Sequence, residues 1–196
     1  MSFEIMSNYR FFFSYSHLDH KNAQYGRECN YLEDFFEELC KHVSSNTPGE
    51  PAESVAYRDQ DRIQIGDYWS PNIIEGLKHS RVLVSMLSST YLASESCGRE
   101  FQSFLQRFYL LQQGSFNPNA SPRIIPVFWG NSDNSLYDLD SDMTQLIKRL
   151  QLRQEGVPEG YPTTGLRQYY YLGKKTSCSQ LGLLLADRIV ERVPFF

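Results

Sequence analysis

Cysteine and histidine are too sparse and too scattered in this chain to build a metal or disulfide scaffold. Its 196 residues hold four cysteines, Cys29, Cys40, Cys97 and Cys178, with no C-x-x-C pair, and four separated histidines. Zinc spacing and a dithiol redox motif are both missing, so reduced thiols are expected. No apolar run approaches the roughly 18 residues that cross a bilayer. The first residues lack a basic stretch followed by an apolar one, the mark of a secretory leader. A soluble, cytoplasmic protein with no membrane partner is the expectation. The formal net charge of −4 gives no electrostatic reason to expect nucleic acid as a direct partner. Neither a glycine-rich dinucleotide fingerprint nor a P-loop occurs. No internal repeat is present, and no linker is long enough to divide the chain, so residues 1–196 are expected to form one domain, free-standing or part of a longer protein. With 41% apolar residues a chain of this length can bury a full core.

What is present is an alternation of short apolar runs and helical periodicity, the pattern of an α/β domain with a parallel sheet. The first run, Tyr9 to Tyr15, has consecutive aromatics without polar alternation, as expected of a strand covered on both faces. A polar stretch from Ser16 to Arg27 follows. Tyr31, Leu32, Phe35, Phe36, Leu39 and Val43 then mark a helix ending near Ser44. A short strand, Val55-Ala56-Tyr57, leads into the charged loop Arg58 to Trp69. Ser70 and Pro71 suit the cap and first position of a helix carrying Ile73, Ile74 and Leu77, with Trp69 and Ile74 placed as a hydrophobic staple; a start at Asp67 fits nearly as well.

Val82 to Leu87 is the clearest buried strand, and Ser88 and Ser89 follow it where carboxyl ends of parallel strands form ligand crevices. Ile124 to Trp129 reads as a further strand, placed near an edge or interrupted because Pro126 cannot donate to a ladder. A helix around Met143 to Leu152, a strand at Tyr169 to Leu172, and a last helix through Leu181, Leu185 and Ile189 complete the reading. The predicted architecture is three-layered: a five-stranded, mostly parallel sheet with helices on both faces, of flavodoxin-like type.

The stretch Tyr91 to Phe108 carries the main chemical signal. Cys97, Phe101, Phe104, Leu105, Phe108 and Leu111 recur at steps of three and four and form one apolar stripe. Glu100 breaks the pattern. It lies roughly 70° from the centre of the stripe, on the border of the buried face, while Arg99 points away. A carboxylate there, expected in a first helical turn, is partly desolvated and close to the positive end of the helix dipole, influences that act on its pKa in opposite directions.

Three segments in order resemble signature boxes of Toll/interleukin-1 receptor (TIR) domains. They are Phe12-Phe13-Ser14-Tyr15-Ser16, then Asp61 to Trp69 with Ile65-Gly66-Asp67, then Ser88-Ser89-Thr90-Tyr91 through Ser94, Ser96, Cys97 and Glu100. The match runs from Tyr9 to Phe108 and continues more weakly through Ile124 to Trp129 and the last helix. Cys97-Gly98-Arg99-Glu100-Phe101 and Ile125 to Trp129 look more like bacterial members. Ser96 stands where the family often has tryptophan, and the last strands match poorly.

The resemblance implies cleavage of the nicotinamide–ribose bond of NAD, as a substrate and not a redox cofactor, with Glu100 as the catalytic carboxylate. It further implies substrate contacts from Ser14, Tyr15, Arg58, Asp61, Trp69 and Cys97. A neighbouring subunit's loop would complete the site, so TIR–TIR self-association would switch on an effector of bacterial antiviral defence governed by a fused or separate sensor. Each residue keeps a second reading: Ser14 and Tyr15 as the end of a strand, Trp69 as a helix staple, Cys97 as core, Arg58 and Asp61 as a solvated loop face. Two other functions stay open, a catalytically silent TIR interaction module and a nucleoside deoxyribosyltransferase-like enzyme. A phosphorelay receiver is disfavoured, because Phe13-Ser14-Tyr15 offers no acidic cluster.

Overall fold

The computed structural model describes residues 9–20, 30–58, 71–112, 123–130 and 157–191. In chain order these are β1 (Tyr9–Ser14), α1 (His17–His20), α2 (Tyr31–Ser45), β2 (Ala56–Arg58), α3 (Pro71–His79), β3 (Ser80–Leu87), α4 (Ser89–Leu92), α5 (Glu95–Gln112), β4 (Ile124–Phe128), α6 (Tyr161–Thr164), α7 (Leu166–Tyr171) and α8 (Lys175–Glu191). The strands form one parallel sheet in the order β2-β1-β3-β4. Central β1 is apolar on both faces, as its unbroken aromatic run predicts, and Phe11, Phe12 and Phe13 are wholly buried. Truncating any one to alanine would cost about 3–5 kcal/mol.

Alternation along β1 assigns the two helical layers. Phe11 and Phe13 meet the Phe36 ring of α2, with centroids 6.3 and 5.0 Å apart. Phe12 faces the other way and stacks on Tyr57 at 5.3 Å. The Tyr57 ring in turn covers Gly76 of α3, where a Cβ would come within 2.4 Å of it. Helices α2, α7 and α8 pack together on the Phe13 side, while α3 and α5 form the opposite layer. Ser14, two residues beyond Phe12, therefore looks toward α5.

β4 lies at one edge of the sheet among the described residues, with Pro126 in register with Ser85. That is where a strand lacking one N–H is tolerated. The edge is covered in part by Tyr161, whose hydroxyl accepts a 2.8 Å hydrogen bond from the Phe128 N–H.

The expected fifth strand at Tyr169 to Leu172 is instead the end of helix α7 and its cap. Leu166, Tyr169 and Tyr170 stand at helical steps of three and four and are buried, whereas Tyr171 and Leu172 are exposed. Gly173, at φ +69°, closes the helix. Its N–H bonds the Tyr170 carbonyl and the Lys174 N–H bonds that of Tyr169, a Schellman cap. The described sheet thus has four strands. The expected helix at Met143 to Leu152 and the loop from Asp59 to Ser70 lie outside the described residues.

Candidate functional site

The carboxyl ends of β1 and β3 lie side by side, with Ser14 in register with Ser85. Above them, α5 carries the apolar stripe predicted for it: Cys97, Phe101, Phe104 and Leu105 are buried. Because α5 begins at Glu95, Glu100 falls in the second turn and not the first. The dipole effect, strongest over the first turn, weakens there. Glu100 also lies deeper than the border position that periodicity assigns, at 5% exposure.

A hydroxyl from another part of the chain accompanies this burial. Ser14 Oγ donates a hydrogen bond to Glu100 Oε2. The same Oγ lies 2.9 Å from the Tyr91 hydroxyl. Since serine has one proton and gives it to Glu100, the phenol must be the donor in this second bond. The order of donation is therefore Tyr91 to Ser14 to Glu100. Tyr91 is fully buried, and burial above all pushes its pKa far up, so the phenol keeps the proton this order needs.

Cys97, three residues before Glu100 on α5, is within electrostatic reach of the same carboxylate. Burial first, and the charge of Glu100 second, hold its thiol far above the ordinary cysteine range. A thiol so reluctant to ionise is a poor nucleophile. It is a member of the buried core.

Sequence reasoning missed a second buried carboxylate. Asp19, at 7% exposure, falls in what reads as a polar connector. Its Oδ2 accepts a 2.5 Å hydrogen bond from Ser88 Oγ. Ser88 Oγ also lies 2.8 Å from Thr90 Oγ1 and accepts the Tyr91 N–H at 3.0 Å, capping α4. Burial raises the Asp19 pKa, against the pull of the Ser88 and Thr90 hydroxyls and of the Arg167 guanidinium. The one signal in sequence is proximity: Asp19 follows Ser14 by five residues, just past a strand's carboxyl end.

Two glycines hold this end of the sheet together. At Gly130 an added Cβ would sit 3.2 Å from Ser88 Cβ, so the chain leaving β4 passes close to the α4 cap. At Gly165, φ +77°, a Cβ would fall 2.1 Å from the Gly130 carbonyl oxygen. The Arg167 N–H bonds the Trp129 carbonyl at 3.0 Å, which fixes α7 over the end of β4.

The structure bonds Ser14 to Glu100, keeps Cys97 within electrostatic reach of it, and gives two other predicted residues different partners. Tyr15 is buried and stacks on His17 at 5.2 Å. Arg58, at the end of β2, pairs with Glu33 of α2 and lies 4.4 Å over Phe36. It follows Tyr57 and so points to the opposite face of the sheet from Glu100. Asp61 and Trp69 lie outside the described residues. A groove of about 680 Å³ beside α5 is lined by Glu95, Arg99, Gln102, Ser103 and Gln106, among others, but not by Glu100. Among the described residues no cluster of His, Cys, Asp and Glu could hold a metal, and no helix is long and apolar enough to cross a membrane.

A parallel α/β sheet with a serine-bonded glutamate buried beyond the carboxyl ends of its central strands defines an open-sheet α/β domain, the class whose ligands bind at that end of the sheet. Residues 50–159, more than half of the chain, match the family model for the TIR domain, and the chain belongs to that family. The matched segment holds Glu100 and Cys97 and leaves Ser14 outside it. No curated protein matches the chain.

Proposed function

We propose that this TIR domain cleaves NAD at the bond between nicotinamide and ribose, with Glu100 as the catalytic carboxylate. The observation that carries the reading is the buried Glu100 held by Ser14, itself backed by the neutral phenol of Tyr91. The pyridinium of NAD leaves as neutral nicotinamide, taking the electron pair of the broken C–N bond. The ribose carbon left behind has oxocarbenium character and needs negative charge beside it more than a protonating acid. One fixed carboxylate supplies that, where ordinary glycosidases use two. Addition of water, with loss of a proton, gives ADP-ribose; attack by a group of the same molecule gives a cyclic product.

In this reading Ser14 and Cys97 line the site beside Glu100, and Tyr15, Arg58, Asp61 and Trp69 serve the substrate or a subunit contact. Assembly of copies completes the site, in the manner of a cytoplasmic bacterial immune effector released by a fused or separate sensor.

The depth of Glu100 supports a second reading. A carboxylate at 5% exposure that already holds a serine is also what a non-catalytic interaction module would keep for its fold.

Nicotinamide release by the purified chain, concentrated or crowded to force assembly, separates the two readings when set beside Glu100→Gln. Turnover lost in the variant, with the fold intact, establishes the enzyme, and chromatography of the product tells linear from cyclic. An assembled wild type without turnover leaves the interaction module. Turnover of deoxynucleosides in place of NAD would identify deoxyribosyltransferase-like chemistry.

A further inference from the structure

Two buried carboxylates, Glu100 and Asp19, stand at the ends of one polar thread. From Glu100 it runs to the Ser14 hydroxyl, then to the Tyr91 hydroxyl at 2.9 Å. From the Tyr91 backbone N–H it continues to Ser88 Oγ at 3.0 Å, and from there to Asp19 at 2.5 Å. Every link is a hydrogen bond between buried residues, and Tyr91 belongs to both halves. Its side chain addresses the glutamate, and its main chain hangs from the aspartate. The sheet fixes Ser14, because β1 is paired on both sides. α4 is not part of the sheet and is held by packing on α5 and β3, with Tyr91 buried, and by its cap. It is four residues long, too short to hold itself together, and its first turn is secured by Ser88 alone among the described side-chain caps.

We infer that Asp19 is a positioning residue for the reaction at Glu100, acting through Ser88 and α4 to hold the Tyr91 phenol against Ser14. This rests on the NAD-cleaving reading for its consequence in turnover, though the mechanical link stands without it. A neutral acceptor could fill the same place at lower desolvation cost. An ionised aspartate is the stronger hydrogen-bond acceptor and fixes Ser88 as the donor, which leaves its lone pairs for the Tyr91 N–H. With Ser88 loose, the phenol no longer has a set distance to Ser14, and the carboxylate loses its fixed orientation toward the ribose carbon. Small displacements of a catalytic group are expensive in rate.

The test compares Asp19→Ala with Asp19→Asn, whose amide oxygen still accepts from Ser88. In the assembled protein Asp19→Ala should lower kcat about 10- to 100-fold with KM changed less than about threefold, and Asp19→Asn should restore most of the loss. Rates are taken per folded molecule, with circular dichroism reporting the fold. A merely structural role would instead lower the folded fraction and leave the rate of each folded molecule alone; that result overturns the proposal. If the wild type itself releases no nicotinamide, the enzymatic reading fails on its own, and the link is read by ¹³C NMR of the Glu100 side-chain carboxyl, assigned with Glu100→Gln. Asp19→Ala should then shift that resonance at neutral pH, and Asp19→Asn should shift it less. A resonance unmoved by Asp19→Ala would likewise sink the proposal.

Discussion

Ser14 is the residue on which the site turns, because it accepts from one buried group and donates to another. Replacing it with alanine takes an acceptor from the Tyr91 hydroxyl, which among the described residues keeps only Ser85 in reach, and takes a donor from Glu100. A buried polar group left unpaired costs about 1–3 kcal/mol, and denaturant unfolding should show a loss of that size. Tyr91→Phe removes only the first donor and should cost about 1 kcal/mol. Since the two groups share one bond, the double variant should cost less than the sum of the singles. Additive losses would show that the phenol and the serine are not coupled. Asp19 behaves differently. Its folded pKa lies above the unfolded value, so its ionised form costs stability and the protein gains stability as pH falls through the folded pKa. Among the described residues the Arg167 guanidinium and the Cys97 thiol interact with it electrostatically; neither changes charge in that acid range. Asp19→Asn should therefore melt higher than wild type at neutral pH. The gap should close as pH falls through the folded pKa and be gone below about 3.9, the ordinary aspartate value. Melting curves across that range check it; a variant that melts lower at neutral pH would contradict the burial argument.

At the level of elements, the legible parts were those whose burial is periodic. The stripe of α5 and the unbroken aromatics of β1 need only local sequence, and Phe101, Phe104, Phe11, Phe12 and Phe13 are buried as expected. Tyr169-Tyr170-Tyr171 misled because aromatic runs favour strands. The helix that forms instead buries Leu166, Tyr169 and Tyr170 at its own spacing and stops at Gly173. Glu100 was legible as a misfit but not as a deeply buried one, since its partner Ser14 is 86 positions away. Asp19 was barely legible, because its partner Ser88 is 69 positions away and only its place just past the end of a strand marks it. Gly165 belongs to the same class of hidden contact. A side chain there meets the backbone of Gly130 at a left-handed φ, so neither rotamer change nor a small shift relieves it. Gly165→Ala should destabilise by about 3 kcal/mol, more than the strain of the dihedral alone. It should also disturb the α7 contact with the end of β4. Unfolding midpoints test this, with Gly49→Ala as the control: φ there is +88° but nothing lies within 4 Å, so only the dihedral term applies.

For the whole molecule, the question is whether one copy contains a working site. In the proposed function the described residues supply the Glu100 half: the carboxylate, the serine and phenol behind it, and the Cys97 thiol beside it. In the proposed function a neighbour's loop after β2, with Trp69, supplies the other half. That arrangement predicts complementation between two dead proteins. Glu100→Gln lacks the carboxylate but keeps the loop, and Trp69→Ala lacks the loop residue but keeps the carboxylate. Each alone should release no nicotinamide beyond background. In a mixed assembly at equal ratio, a working site needs an intact glutamate on one copy and an intact loop on the next, which random head-to-tail pairing gives at about one site in four. Nicotinamide release by the mixture at about a quarter of the wild-type rate, fading on dilution as the assembly dissociates, is the expected result. A site built wholly within one chain would show no recovery at any ratio. A rate that scaled with wild-type concentration to the first power would tell the same way, since assembly makes the specific activity itself rise with concentration.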